Sequence, residues 1–390
     1  MRARHGGPVA VLAATVLALG GCDSDMARAG NGDDLVCDPD NGGLVLPDGF
    51  CAVVAADGIG APRHMAVASN GDLFVTLQGG RSSTGGSLAL RDTTGDGVFD
   101  VQVRFDDGGG TGIELWEDWV YVGRDDAVVR YRLSPDQPAP EGDPETIVQG
   151  LRAQGGHAAK PVEITPDGTL YVNIGSPSNS CQVEDRTTGS PGKDPCHERD
   201  TNAGIWRFSA TTPGQTLGDG ERFAAGMRNT VALHHDNIGG DLYAVIHGRD
   251  QLHQNWGELY TIEEGAELPA EEFVRVREGD DYGWPYCYWD QRQGRKVLAP
   301  EYGGDGETVG RCAEMDEPLV GFPGHWAPND LLIYHADQFP DRYEGGAFIA
   351  FHGSWNRAPL PQEGANVVFV PRSGDGFTGD WEVFAEGRED

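Results

Sequence analysis

Hydrophobic positions along this chain alternate with polar ones in runs that rarely pass seven residues, and the runs break at Gly, Pro, Asn or Asp. That period-two pattern predicts short β-strands joined by turns rather than helices. The clearest unit runs from Met65 to Leu77, where two apolar strands flank Asn70-Gly71, a pair that favours a tight hairpin. The unit recurs from Pro161 to Val172 around Asp167-Gly168, and from Thr230 to Val245 around a longer turn at Gly240. Looser copies span Gly112 to Val122 and Leu331 to Ala350.

Taking Leu73, Val120, Leu170, Leu242 and Phe348 as equivalent points gives spacings of 47, 50, 72 and 106 residues. The first two match one blade of a β-propeller, and the longer ones predict insertions projecting from one face. A β-sandwich also has short strands but does not predict one hairpin at blade-length intervals. Five copies are visible and the chain ends at Asp390, where another falls due. The expected fold is therefore an all-β propeller whose last blade is missing or incomplete, with a closed five-bladed ring as the alternative.

The N-terminus adds a compartment. Basic residues at Arg2 and Arg4, an apolar run from Val9 to Leu19 and the small pair Gly20-Gly21 before Cys22 have the layout of a secretory leader. Residues 1–21 are expected to be that leader, with Cys22 resembling the lipidated cysteine of bacterial lipoproteins; an ordinary cleaved signal is the alternative. Residues 22–45 form a polar tether, and 46–390 the propeller. No later segment is long and apolar enough to span a bilayer, so membrane attachment is expected only through a lipid on Cys22. The other cysteines, Cys37, Cys51, Cys181, Cys196, Cys287 and Cys312, are even in number and predict disulfides in an exported protein. Fifteen pairings are open, and their clustering favours 37 with 51, 181 with 196 and 287 with 312.

A formal charge of −33, from 62 acidic against 29 basic residues, repels phosphate backbones and argues against nucleic-acid partners. Against that background two basic loops are informative. His157 stands just before the strand that starts at Pro161, and Arg228-Asn229 occupies the equivalent place before the next repeat. A histidine there is a candidate base, and an arginine offers a permanent charge to a carboxylate or a developing oxyanion. The loop Asp92 to Asp100 carries oxygen side chains like the start of a calcium loop, but Val103 stands where the last ligand would be, which favours a turn capped by Asp side chains.

From about Leu46 onward the chain resembles the soluble quinoprotein sugar dehydrogenases, the glucose and sorbosone dehydrogenase family, and its sorbosone-type branch most of all. The resemblance rests on His157 placed nine residues before Pro166-Asp167-Gly168, on Gly226-Met227-Arg228-Asn229 and on Gly283-Trp284-Pro285. His247-Gly248-Arg249-Asp250, Pro323 to Pro328 and His352 to Arg357 add to it. It implies a six-bladed propeller holding pyrroloquinoline quinone (PQQ) and Ca²⁺, with an aldose or sugar aldehyde oxidised to the lactone or acid and electrons passed to a periplasmic acceptor. His157 would be the base, and Arg228 would bind the quinone with Asn229 beside it. The carbonyls of Gly248 and Arg249 would hold Ca²⁺, while Lys160, His325, His352, Trp355 and Arg357 would line the cofactor pocket. Two positions depart from the glucose-oxidising members: Gly156 replaces an acid before the base, and Gly110-Thr111-Gly112 replaces a Gln or His. The rival readings are a propeller lactonase, which needs inward acidic ligands for a divalent ion, and a noncatalytic propeller that binds glycan or protein.

Overall fold

The computed structural model describes residues 35–80, 84–134, 136–374 and 376–388. The expected leader, Cys22 and the tether as far as residue 34 lie outside the described residues, as do the last two residues.

Five antiparallel sheets follow one another along the chain. The first contains Pro62–Val67, Leu73–Leu77, Gly86–Arg91 and Val101–Asp106. The second contains Gly112–Trp116, Trp119–Gly123, Val128–Arg132 and Glu145–Val148. The third is Val162–Ile164, Thr169–Ile174, Gly204–Ser209 and Glu221–Ala225. Thr230–His235, Leu242–Ile246, Glu271–Val276 and Val320–Phe322 make the fourth. The fifth is Pro328–Ile333, Ala347–Phe351, Asn366–Val370 and Glu382–Gly387, with Leu44–Val45 added on its outer edge. All five points chosen as equivalent in the sequence fall in the second strand of their sheet. The chain is a β-propeller in which five blades are described; the sixth that the resemblance implies has no counterpart among the described residues.

The first strands of successive blades lie side by side, and His64 Nε2 on the first blade shares a 2.6 Å hydrogen bond with Asn329 O on the fifth. Alternate residues of each strand face the neighbouring blades. Phe74, Ala89, Val120, Val122 and Val129 pack between the first two blades, and Tyr243, Phe273, Leu331, Ile349 and Val368 between the last two. Burying such side chains contributes about 1.5–3 kcal/mol each. The second and third blades approach so closely that a Cβ on Gly123 would stand 1.9 Å from the Lys160 carbonyl, so only glycine fits there.

The predicted insertions are present, and all three disulfides have the pairings the clustering favoured. Residues 175–203 leave the third blade and are stapled by Cys181–Cys196, while residues 277–319 leave the fourth and are stapled by Cys287–Cys312. Three disulfides fit a chain that folds in an oxidising, exported environment. No helix among the described residues is long and apolar enough to cross a membrane. The Asp92 loop is the capped turn, its carboxylate accepting the N–H groups of Thr94, Gly95 and Gly97 at 2.7–3.0 Å.

Candidate active site

Loops that enter the first strand or leave the second strand of a blade share one rim, and there they enclose a cleft of about 300 Å³. His157, Arg228, Gly248, His325, His352 and Trp355, all singled out in the sequence, line it together. So do Arg63, Arg186 and Glu271, which sequence reasoning missed, and His247 and Asp250, which it quoted in a motif without assigning a role.

His157 sits in a left-handed backbone conformation, φ +60°, which turns its ring inward from the loop. Its Nδ1 lies 2.8 Å from the Ser176 carbonyl, an oxygen that can only accept, so Nδ1 carries the proton and Nε2 keeps its lone pair. Burial, reinforced by the Arg228 charge, holds its pKa well below the usual histidine value, so the ring is neutral at physiological pH. Ser176 thereby does what the missing acid at Gly156 would do, which is to fix the tautomer. Arg152 clamps the loop from behind by donating to the carbonyls of Gly156, His157, Gly175 and Ser176.

Arg228 is buried and satisfied on every side. Its Nε donates to Asn179 O at 3.1 Å, Nη1 to Gly248 O at 2.8 Å, and Nη2 to Asn179 Oδ1 at 2.9 Å and Asp250 Oδ2 at 2.8 Å. Asp250 is the hub of the cleft, since Arg186 also reaches Oδ2 and Asn356 Nδ2 reaches Oδ1 at 2.9 Å. Burial alone would raise the pKa of Asp250, but the Arg228 and Arg186 charges outweigh it and hold the carboxyl well below its usual range. Glu271 is the opposite case: burial pushes its pKa up to about 7, although Gly248 N–H donates to it at 2.8 Å. His247 is pushed down to about 4 by burial and bonds the Pro328 carbonyl through Nε2. Burial lowers His325 as well. Trp355 and His352 stand exposed at the opening.

Arg63 differs from every other cation here. It projects from the first strand of the first blade, burial lowers its pKa, and its buried Nε has no hydrogen-bond partner.

Four predicted pocket residues lie outside the cleft lining. Lys160 is fully buried, with Nζ spent on the carbonyls of Arg152 and Ala158, and burial lowers its pKa to about 8. Arg357 is held by Ala266 O at 2.8 Å and by Glu267 at 2.6 Å. Asn229 lies behind His157, its side chain reached only by Asn173 Nδ2 at 3.5 Å. Arg249 pairs with buried Glu301 at 2.6 Å and lines a cavity of about 20 Å³ behind the cleft, large enough for one water. Spacing alone could not tell a loop cation facing the cleft from one tied to carbonyls beneath it. Arg63 carried only a weak signal, an arginine at the start of an apolar strand.

Among the described residues, the one group of three metal-ligating side chains within bonding reach of each other is Cys181, Cys196 and Glu198, and its two cysteines form a disulfide. Glu114, Glu163 and Asp330 face one another from three first strands, but they do not form such a group.

The family profile described as TrAA12-like matches residues 44–380 of the chain. Among solved structures, the chain is similar to the holo PQQ domain of a pyranose dehydrogenase from Coprinopsis cinerea: 19% identity, TM-score 0.69, with 89% of this chain and 87% of that one covered. It is similar to a Trichoderma reesei protein of Carbohydrate-Active Enzymes Family AA12, in its iodide structure, at 19% identity and TM-score 0.70, covering 92% and 90%. A PQQ-bound aldose sugar dehydrogenase from Streptomyces coelicolor is 18% identical with TM-score 0.53, covering 85% and 83%. At these identities the likeness is one of fold. An uncharacterized protein of Borreliella burgdorferi is 27% identical over 139 residues, a stretch that spans 35% of this chain and 31% of that protein.

Proposed function

The chain belongs to the TrAA12-like family, and from that premise we propose that it is a PQQ-dependent dehydrogenase that oxidises an aldose or a sugar aldehyde of the sorbosone type to the lactone or acid. The observation that carries the reading is a neutral His157, with Nε2 open, facing a cleft in which, among the described residues, Arg63 is the guanidinium left without a partner.

The residues fit the cofactor. PQQ is planar with three carboxylates, and the cleft volume falls in the usual range for small cofactor sites. The half-buried Arg63 suits a carboxylate, because its buried Nε has no hydrogen-bond partner until an anion arrives. His325 and Trp355 would flank the ring system, and the carbonyl of Gly248, the one of the two expected cation ligands that lines the cleft, would hold Ca²⁺. PQQ, when bound, would supply a two-electron acceptor for hydride. His157 Nε2 accepts the proton of the reacting sugar hydroxyl while Ser176 holds the ring. Arg228 keeps a fixed positive charge where negative charge develops. Trp355, 70% exposed, offers the sugar an apolar face at the opening.

Export, lipid attachment through Cys22, a sixth blade and a periplasmic electron acceptor belong to the same proposal. The lactonase reading finds no support among the described residues, since the inward acids are not within bonding reach of one ion. The test is to add PQQ and Ca²⁺ to the purified protein and follow sugar-dependent dye reduction and lactone hydrolysis in parallel. Dye reduction that vanishes in His157→Ala supports the proposal. Lactone hydrolysis without dye reduction, or neither activity with any aldose or aldehyde, overturns it.

A further inference from the structure

One guanidinium spans two oxygens of different origin in the cleft. Arg228 Nη1 donates to the Gly248 carbonyl and Nη2 donates to Asp250 Oδ2, both at 2.8 Å. Oxygens held by the two ends of one planar guanidinium are neighbours, and both line the same cleft. One is the carbonyl expected to hold a divalent cation; the other is a carboxylate with no role in that expectation. A hard cation such as Ca²⁺ takes six to eight oxygens at about 2.3–2.6 Å, carboxylate and carbonyl included. We propose that Asp250 joins Gly248 in holding the divalent cation, and that the Arg228 guanidinium competes with the cation for these two oxygens, so that an anionic cofactor must draw Arg228 aside to admit it. The proposal rests on the PQQ reading given above.

Charge bookkeeping leads to the same arrangement. Asp250 already stands between two cations, Arg228 and Arg186. A divalent ion on Gly248 O would come within about 5 Å of the Arg228 nitrogen bonded to that oxygen, and like charges at that range repel strongly in a desolvated site. A ligand with three carboxylates reverses the balance, giving Arg228 a new partner and the cation added oxygens. Asp250 keeps Arg186 and Asn356 when Arg228 leaves, so its orientation survives the exchange. Because linkage is reciprocal, the cation tightens PQQ by the same factor that PQQ tightens the cation.

Calorimetric titration of the full chain with Ca²⁺, with and without PQQ, tests the exchange without any turnover. PQQ is expected to tighten Ca²⁺ binding by about 10- to 100-fold. Arg228→Met is expected to bind Ca²⁺ more tightly than wild type in the absence of PQQ, and Asp250→Asn to weaken Ca²⁺ binding in either condition. Should Arg228→Met not fold, Arg228→Gln serves, because it removes the positive charge while its amide can still donate to one of the two oxygens. Equal Ca²⁺ affinity with and without PQQ in the wild type, or unchanged affinity in Asp250→Asn, overturns the proposal. If PQQ does not bind at all, the functional reading falls by itself. The Ca²⁺ affinities of wild type and the Arg228 variant then still decide the competition, with equality refuting it.

Discussion

Replacing Arg249 by Met separates a structural from a cofactor-binding role for one of the cations singled out in the sequence. Arg249 Nη1 bonds both oxygens of Glu301 at 2.6 Å, with the two side chains 3% and 0% exposed. Glu301 also accepts Trp256 Nε1 at 2.9 Å and Ser180 Oγ at 3.2 Å, so its carboxylate is fixed in place. Arg249→Met leaves that charge buried with neutral donors alone, which costs about 3–5 kcal/mol and lowers Tm by roughly 4–7 °C. Adding Glu301→Gln removes the stranded charge while an amide oxygen still accepts from Trp256 and Ser180. The double variant should fall short of additivity by about 1–3 kcal/mol. Thermal and urea unfolding followed by circular dichroism measures all four proteins, and PQQ titration of the folded single variant should match wild type because the guanidinium lies behind the cleft. A loss below about 1 kcal/mol with additive effects, or weakened PQQ binding at unchanged stability, refutes the reasoning.

Other outcomes follow from the same geometry. Since burial and the Arg228 charge depress His157, the acid limb of kcat/KM should lie below the ordinary histidine pKa of about 6.5, and Arg228→Met should move that limb upward whatever it does to the rate. Arg63→Met should weaken PQQ binding by about tenfold or more and flatten its salt dependence without lowering Tm, because the side chain gives up no partner. Glu114 is raised by burial first and by the Glu163 charge next, so its contribution to stability is intact below its unfolded pKa and is lost as pH rises through the folded value. Glu114→Gln should therefore melt with wild type near pH 4 and above it by pH 8, and a constant offset across that range would contradict the burial argument.

The propeller was legible because each blade repeats one hairpin, and the turn needs Gly71 or Gly168 in a positive-φ position that few other residues accept. The disulfides were legible because each closes a short local loop. The site was legible in part. His157 and Arg228 lie in loops that precede first strands, and those loops meet at the rim. Lys160 is only three residues from His157, yet the chain turns between them and sends Nζ back to the carbonyls of Arg152 and Ala158. Composition could not tell these two directions apart, because both suit a basic side chain in an acidic protein.

The acids of the cleft were harder to see, and the reason is energetic. Asp250 closes the motif that begins at His247, but one Asp among 62 acidic residues has no readable role until its neighbours are known. Those neighbours are Arg228 from the fourth blade's entry loop, Arg186 from the insertion stapled by Cys181–Cys196, and Asn356 from the fifth blade. Each alone would be an ordinary polar loop residue; converging from three loops, they outweigh the burial that by itself raises the pKa of this carboxylate. Arg63 is the complement, a half-buried cation whose buried Nε meets no acid among the described residues. In a protein of charge −33, a cleft guanidinium left without a partner among the described residues is the position the PQQ proposal gives to an anion from outside the chain. The negative surface then keeps weakly bound anions away, and a ligand with several carboxylates arranged to meet Arg63 and Arg228 together has the advantage over single ones.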